Sequence, residues 1–496
     1  MDADPTLPLA FARSAGVAID PDQDPAPDAP LRLIARASAS DLAWREARRV
    51  LGRPVAIRLC SDQAFDQALE QTQSSRDTEA SDSHTFEGDD IEIERGGERG
   101  LVTDLLDDAA DAPVIGLINT LLRQALRRGA SDMHVEAMEQ GIRVRMRIDG
   151  ILRTVVERPD APVAMVVSRF KVMAGLDIAE TRMPQDGRLA LRIGGRSVDV
   201  RISTMPAKNG ERVVLRLLDK RTGLLSLGEI GLSPDQRAAL DRIGGHSDGL
   251  VLVTGPTGSG KTTTLYALIQ HLNDSQRNII TVEDPIEYDI AGIGQTQVMP
   301  QIGMGFAQSL RAILRQDPDI VLVGEIRDQE TAEVAVQAAL TGHLVLATLH
   351  TNTALGSITR LRDLGVEPYL IAATVRGMIA QRLLRRLCRD CRRPDPVTED
   401  AARVFERSGL AMPLSLFGSE GCAACDGTGF RGRTAVYEIV EVETPLRALI
   451  HEGKTELELA GAALPPDGRL AAAALRLAGA GTTSLGEALR AAEAAL

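Results

Sequence analysis

Aromatic residues are scarce in this chain of 496: one Trp, four Tyr and eight Phe, 3% in all. Stacking platforms for single-stranded nucleic acid need more than that. Excess positive charge is missing too. The formal net charge of −13 disfavours indiscriminate capture of nucleic acid or anionic membrane. No apolar run approaches the ~18 residues of a membrane span. The N-terminal stretch MDADPTLPLAFARSAG lacks the basic region and apolar core of a secretory signal. These absences predict a cytoplasmic protein with, at most, peripheral membrane association. Cysteine is limited to five residues. Four form two pairs, Cys388-x-x-Cys391 and Cys422-x-x-Cys425. In a cytosolic chain this pattern points to metal, not disulfides. Four thiolates suit tetrahedral Zn²⁺ and leave no coordination position open, so the expected ion is structural.

What is present begins with Gly255-Pro256-Thr257-Gly258-Ser259-Gly260-Lys261-Thr262, followed by Thr263. It fits the phosphate-loop pattern G-x-x-x-x-G-K-[ST] at every defined position. A strand-like run, 249–254, precedes it and a helix-like run follows. The glycines leave room for backbone N–H groups to wrap phosphates. The helix N-terminus adds partial positive charge. Lys261 is placed to reach the β/γ-phosphates of ATP, and the Thr262 hydroxyl to bind Mg²⁺.

The chain divides by composition. Residues 1–75 carry strand-like (31–35, 54–59) and helix-like (40–51, 62–72) segments of a small α/β unit. Residues 76–100 are rich in Ser, Asp, Glu and Gly and predict a flexible linker. Residues 101–220 predict a helix at 114–128 and alternating strands at 142–148, 151–156, 189–193, 197–202 and 212–217, with an Arg-rich exposed face. Residues 224–385 alternate strands and helices as a parallel α/β core does. The Cys pairs lie in 386–436, and 437–496 is an Ala/Leu-rich helical tail. A basic run through Arg382, Arg385, Arg386, Arg389, Arg392 and Arg393 suits either acidic phospholipid or neutralisation of the tetrathiolate.

Further candidates lie at predicted strand ends, where ligands of parallel sheets bind. Glu283, Asp284 and Glu287 end one strand and are expected to order Mg²⁺ waters or polarise an attacking water. Glu325 ends the strand 319–324 and is the candidate water activator. His343 and His350 bracket another strand, with His343 preferred as the phosphate sensor. Hydrolysis also needs cationic charge on the γ-phosphate. Arg188, Arg201, Arg216, Arg311, Arg315 and Arg327 all qualify, and the pattern alone does not choose among them.

Together these segments resemble the secretion and pilus-assembly ATPases, most closely the type II secretion branch. The phosphate loop at 255–262 comes first, then an Asp box at 279–287, a Walker B region at 311–328 and a His box at 341–352, in the family's order. Gly129-Ala-Ser-Asp-Met-His-Val-Glu136 and Pro184-Gln-Asp-Gly-Arg188 match its upstream domain, and Leu7-Pro-Leu-Ala-Phe-Ala-Arg its N-terminal motif. The resemblance implies a multidomain α/β fold: a tethered N-terminal domain, a PAS-like arginine-bearing domain, a RecA-like ATPase core, the tetracysteine module and a helical C-terminus. It implies a homohexameric motor using ATP, Mg²⁺ and Zn²⁺, with Arg201 and Arg216 approaching the phosphates. The implied partners are the cytoplasmic domain of an L-type inner-membrane protein and a polytopic platform protein. The implied work is pseudopilus assembly and export of folded proteins. Pilus extension is the alternative within the family. A nucleic-acid translocase is a different use of a RecA-like core, disfavoured by acidity and few aromatics.

Overall fold

The computed structural model describes residues 112–193, 196–219 and 224–493, with 16–19, 31–36, 55–61, 91–95, 98–100 and single positions at 39, 43, 45, 47, 48, 51 and 65. The chain splits into two units, Met1–Asp89 and Asp90–Leu496. In the first, β1 (Val17–Ile19) pairs antiparallel with β2 (Leu31–Arg36), which pairs parallel with β3 (Val55–Cys60). Helical Ala43, Ala47 and Leu51 are buried and pack with Val17, Leu31 and Leu33. Their spacing of four places them on one helix face. Strands β2 and β3 overlap those expected at 31–35 and 54–59, and the helical positions fall in the segment expected at 40–51; of the expected helix 62–72 only Phe65 is described, and residues 76–90 of the expected linker lie outside the described residues.

The second unit opens with β4 (Ile91–Arg95) and β5 (Glu98–Gly100). These strands fall inside the stretch expected to be linker. The alternation of Ile91 and Ile93 with Glu92 and Glu94 is a period-two signal that the acidic composition masked. β4 adds to the edge of a sheet through β9. After α1 (Ala112–Arg127) come β6 (Ala130–Ala137), β7 (Ile142–Ile148), β8 (Ile151–Arg158), α2 (Val163–Ala174), β9 (Gln185–Ile193), β10 (Arg196–Ala207) and β11 (Gly210–Asp219). The sheet runs β5-β4-β9-β10-β11-β6-β7-β8, antiparallel at each pairing. Ile118, Leu121 and Leu122 of α1 and Val166 and Phe170 of α2 form one core with Val198, Val200 and Ile202 of β10. The helices therefore cover one face, and the strands alternate buried with more exposed residues.

The ATPase-like core starts at α3 (Pro234–Gly244), whose N-terminus is closed by a reciprocal Ser233–Gln236 capping box. There follow β12 (Gly249–Thr254), α4 (Lys261–Leu272), β13 (Ile279–Glu283), β14 (Gly294–Gln297), α5 (Phe306–Ile313), β15 (Ile320–Val323), α6 (Gln329–Leu340), β16 (Leu344–Leu349), α7 (Gly356–Asp363) and α8 (Pro368–Thr374). β17 (Val375–Leu387) then leads to β18 (Arg392–Asp395), α9 (Glu399–Arg407), β19 (Leu416–Ser419) and β20 (Phe430–Glu441). The tail is α10 (Thr444–His451), α11 (Glu456–Ala463), α12 (Leu470–Gly479) and α13 (Leu485–Glu493).

The core sheet has the order β14-β13-β15-β16-β12-β17-β20. It is parallel except for β20, which returns antiparallel along β17. Every residue of β12, β15 and β16 is buried, as strands covered on both faces require. The core sheet thus extends past the expected boundary at 385. The Cys pairs sit between β17 and β20, at the end of a long hairpin, because β20 completes the sheet after the cysteines.

Candidate functional site

The parallel strands β12, β13, β15 and β16 bring their carboxyl ends to one edge, and the chemistry gathers there. The phosphate loop leaves β12. Gly255 and Gly260 have φ of +146° and +88°, values that L side chains rarely adopt. Space excludes a side chain as well. A Cβ on Gly255 would lie 2.5 Å from the Gln381 carbonyl oxygen, and one on Gly260 would lie 2.8 Å from Gln381 Nε2. Gln381 of β17 also accepts from the Thr264 hydroxyl at 2.8 Å. The loop is thus braced from the neighbouring strand. Thr254 ties it to the other side: the Thr351 N–H donates to Thr254 Oγ1 at 2.8 Å.

Lys261 opens α4 and donates through Nζ to the Gly255 and Pro256 carbonyls at 2.8 and 3.2 Å. Burial lowers its pKa from 10.5 to about 8, against the opposing pull of Glu325 and with a further push from Arg382. Thr262 is exposed on the first turn of α4. Glu325 follows β15 and is largely buried, with Arg327 NH2 at 2.6 Å and His350 Nε2 at 3.4 Å. Gly324 lets this strand end approach β13: a Cβ there would lie 3.2 Å from the Val282 carbonyl oxygen. The Gly324 N–H donates to that oxygen at 2.8 Å, and the Thr348 hydroxyl donates to the Gly324 carbonyl at 2.6 Å. Glu325 therefore stands on a strand end held from both sides.

Two expected site residues are placed elsewhere. His343 precedes β16, at the amino end of the strand, so the sheet separates it from the phosphate loop. Its Nδ1 lies 3.0 Å from the Ala338 carbonyl, and its own carbonyl accepts from the Gly249 N–H. His350, at the carboxyl end, is the histidine beside Glu325. Strand direction was the signal that distinguishes them. Glu283 is 4% exposed, and its carboxylate is taken up by the Tyr266 hydroxyl, the Thr281 hydroxyl at 2.5 Å and Gln295 Nε2 at 3.2 Å. With its oxygens so engaged, it is an anchor for α4 and β13, not a group open to metal water. Burial, then Glu283, holds the Tyr266 phenol far above its ordinary pKa, so it stays a donor.

The upstream sheet reaches the same edge. Arg201 of β10 makes a two-pronged contact with Glu287, NH2–Oε2 2.7 Å and NH1–Oε1 3.3 Å. In register across the sheet lie Arg188, Arg201, Arg216, Asp132 and Arg147. Directly opposed residues share a face, so the motif's Asp132 interrupts a row of arginines. Arg216 Nε lies 3.1 Å from Asp132 and stays with its own sheet. Glu136 of the same motif takes Arg145 and, at 3.2 Å, Arg212. His134 meets Arg212 NH2 through Nδ1 at 2.9 Å, and burial, then Arg212, holds its pKa below the ordinary value. Among the core arginines, Arg311 pairs with Glu330, while Arg315 donates to the Arg311 carbonyl.

The four cysteines converge. Cys388 and Cys422, and Cys391 and Cys425, have sulfurs 3.8 Å apart; Cys422 and Cys425 are 3.7 Å apart. A tetrahedron with bonds of about 2.3 Å has edges of about 3.8 Å, so the set fits a zinc-sized ion. Burial opposes thiolate at Cys425, but N–H groups of Cys422 and Gly429, each 3.2 Å from its sulfur, lower its pKa to about 6.

A parallel sheet with a phosphate loop, a strand-end glutamate and a histidine at one edge defines a RecA-like P-loop ATPase core. The comparisons carry this to a family. The profile of the Type II/IV secretion system protein family matches residues 107–490, and that of the first N-terminal domain of GSPII protein E matches 6–72. The chain belongs to the Type II/IV secretion system protein family. It is 48% identical to the type II secretion system protein E of Dickeya dadantii, covering 92% of this chain and 91% of that protein. It is also 48% identical to the type II secretion system ATPase E of Vibrio cholerae, covering 90% and 88%. Among solved structures, the pilus retraction motor PilT with bound ADP has a TM-score of 0.51 at 27% identity, over 75% of this chain and 95% of PilT. The ATPase DotB of Yersinia pseudotuberculosis shares the fold, with a TM-score of 0.56 at 22% identity over 80% and 96%.

Proposed function

We propose that this chain is the ATP-hydrolysing cytoplasmic motor of a type II protein secretion system, driving pseudopilus assembly and export of folded proteins. The observation that carries the reading is the meeting of Lys261 and Glu325 at the carboxyl edge of one sheet, near enough for the Glu325 charge to act on the Lys261 ammonium. In this reading the loop 255–260 and Lys261 hold the ATP phosphates, and Thr262 holds Mg²⁺, which neutralises phosphate charge. Glu325, oriented by Arg327 and His350, positions and activates the attacking water. Arg201 supplies cationic charge from the upstream sheet, and Arg216 joins it only by leaving Asp132, which holds it at 3.1 Å in its own sheet. Arg201 must exchange Glu287 for phosphate to do so, which makes the domain contact sensitive to the nucleotide. Zn²⁺ at Cys388, Cys391, Cys422 and Cys425 is structural.

The match of residues 6–72 to the N-terminal domain of GSPII protein E favours the type II branch over pilus extension. It supports docking on the cytoplasmic domain of an L-type inner-membrane protein. No helix among the described residues is long and apolar enough to cross a membrane, which agrees with peripheral attachment through that partner. The working form in this reading is a homohexamer that acts on a polytopic platform protein, with acidic phospholipid as a further contact. The test is ATP turnover by the full chain, with and without the L-type domain. Hydrolysis that survives intact in both Lys261→Ala and Glu325→Gln proteins rules the reading out. Selective binding of residues 1–75 to a pilus platform moves the chain to the extension branch.

A further inference from the structure

A cavity of about 270 Å³ opens between the phosphate loop, β17 and the last helix, α13. Its lining includes Thr257 and Ser259 of the loop, Arg382 and Leu384 of β17, and Arg490 and Ala491 of α13. It lies near the lower end of the size range of small-molecule sites, about 300–1,000 Å³.

The strand order says which part of a nucleotide belongs there. Glu325 and His350 follow β15 and β16, on one side of β12. β17 lies on the other side. A nucleotide whose terminal phosphate points at Glu325 leaves the loop toward β17. The cavity occupies that side. It offers apolar surface from Leu383, Leu384 and Ala491, and two guanidinium groups. Such walls suit a flat base and a ribose. Ser259 of the loop is 3% exposed, and its hydroxyl has no hydrogen-bond partner among the described residues.

α13 is fixed in place. Glu487 accepts from Arg385 Nε and NH2 at 3.1 and 2.7 Å and from the Arg385 N–H at 3.3 Å. Both side chains of this pair are nearly buried. The Thr483 hydroxyl donates to the Arg385 carbonyl at 2.7 Å. Glu487 also holds Arg490, whose side chain is mostly exposed at the cavity rim.

We infer that α13 forms the wall of the nucleoside half of the ATP site, with Arg490 contacting the base and ribose and Glu487 positioning it. This rests on the ATPase reading above. The C-terminal helix then selects the nucleotide, while the phosphate loop holds only its phosphates.

The experiment measures binding of Mg·ADP and Mg·tripolyphosphate to the full chain by calorimetry, for the parent and for Arg490→Ala and Arg490→Glu. Tripolyphosphate has the phosphates and no nucleoside. Loss of a charged contact predicts ADP binding weaker by roughly tenfold in both variants, with tripolyphosphate within about twofold of the parent. Equal weakening of both ligands, or a fall in melting temperature that accounts for the loss, means the helix only braces the loop and overturns the inference. Unchanged ADP binding overturns it too. A parent chain that binds neither ligand overturns the ATPase reading instead.

Discussion

The two large sheets of the second unit present their chemistry in opposite ways. The parallel core sheet gathers single residues from strand ends: Gly255 after β12, Glu325 after β15, His350 after β16. The antiparallel upstream sheet lays its charges across strand middles, from Arg188 to Arg147, on one face. Strand ends converge on a point, which suits a site for one phosphate chain. A row across strands makes a line, which suits a surface that meets another domain or subunit. Arg201 is where the line touches the point, through Glu287.

Breaking the point should cost the most. Lys261→Ala and Glu325→Gln should each lower ATP turnover about 10³-fold, read in a coupled phosphate-release assay. Breaking the line should cost less and in a different parameter. With Arg201 acting on transition-state charge as proposed, Arg201→Ala should lower kcat about 10²-fold and leave ADP affinity nearly unchanged. An equal loss in ADP affinity would place Arg201 in ground-state binding and blur the distinction between the sheets.

The next effect is smaller and belongs to Lys261. Free Lys261 has a pKa near 8, and bound phosphate favours its charged form. ADP binding is then at full strength below pH 8 and weakens as pH rises, by about tenfold between pH 7 and 9. Calorimetry in two buffers of different ionisation enthalpy should find proton uptake near pH 8. A flat profile would mean that the lysine is charged before the nucleotide arrives. Smallest is the contrast between the two ends of β16. His350→Ala should lower kcat roughly fivefold by loosening Glu325, and His343→Ala by less than about twofold. The reverse order would mean that the carboxyl edge is not where hydrolysis occurs.

Legibility in the sequence followed the range of each feature. The phosphate loop is eight adjacent residues, so its pattern was readable directly, and the expected strand and helix flank it. The strands at 142–148 and 249–254 appear at the expected bounds because alternation and a buried apolar run are local signals. The spacing of the paired cysteines predicted that they meet, and their four sulfurs do converge. The Asp132–arginine pairing was not legible, because it depends on the register of β11, β6 and β7. The conversion of Glu283 from metal candidate to anchor depends on Tyr266 and Gln295, each more than ten positions away. The choice of His343 over His350 failed for a simpler reason: both flank the same strand, and only its direction tells them apart. Nothing in the sequence linked Arg490 to the phosphate loop, which lies more than two hundred residues earlier.

One strand has a consequence of a mechanical kind. β17 spans 13 residues. Near its middle, Gln381 props the phosphate loop; four residues on, Arg385 clasps Glu487; and beyond Leu387 comes Cys388, the first sulfur of the cluster. Backbone pairing with β12 and β20 keeps this strand stiff along its length. A slide of one residue, about 3.3 Å, would carry Gln381 beyond hydrogen-bond reach of Thr264. A single shaft of backbone therefore carries the brace of the phosphate loop, the clasp on α13 and the entry to the cysteine cluster.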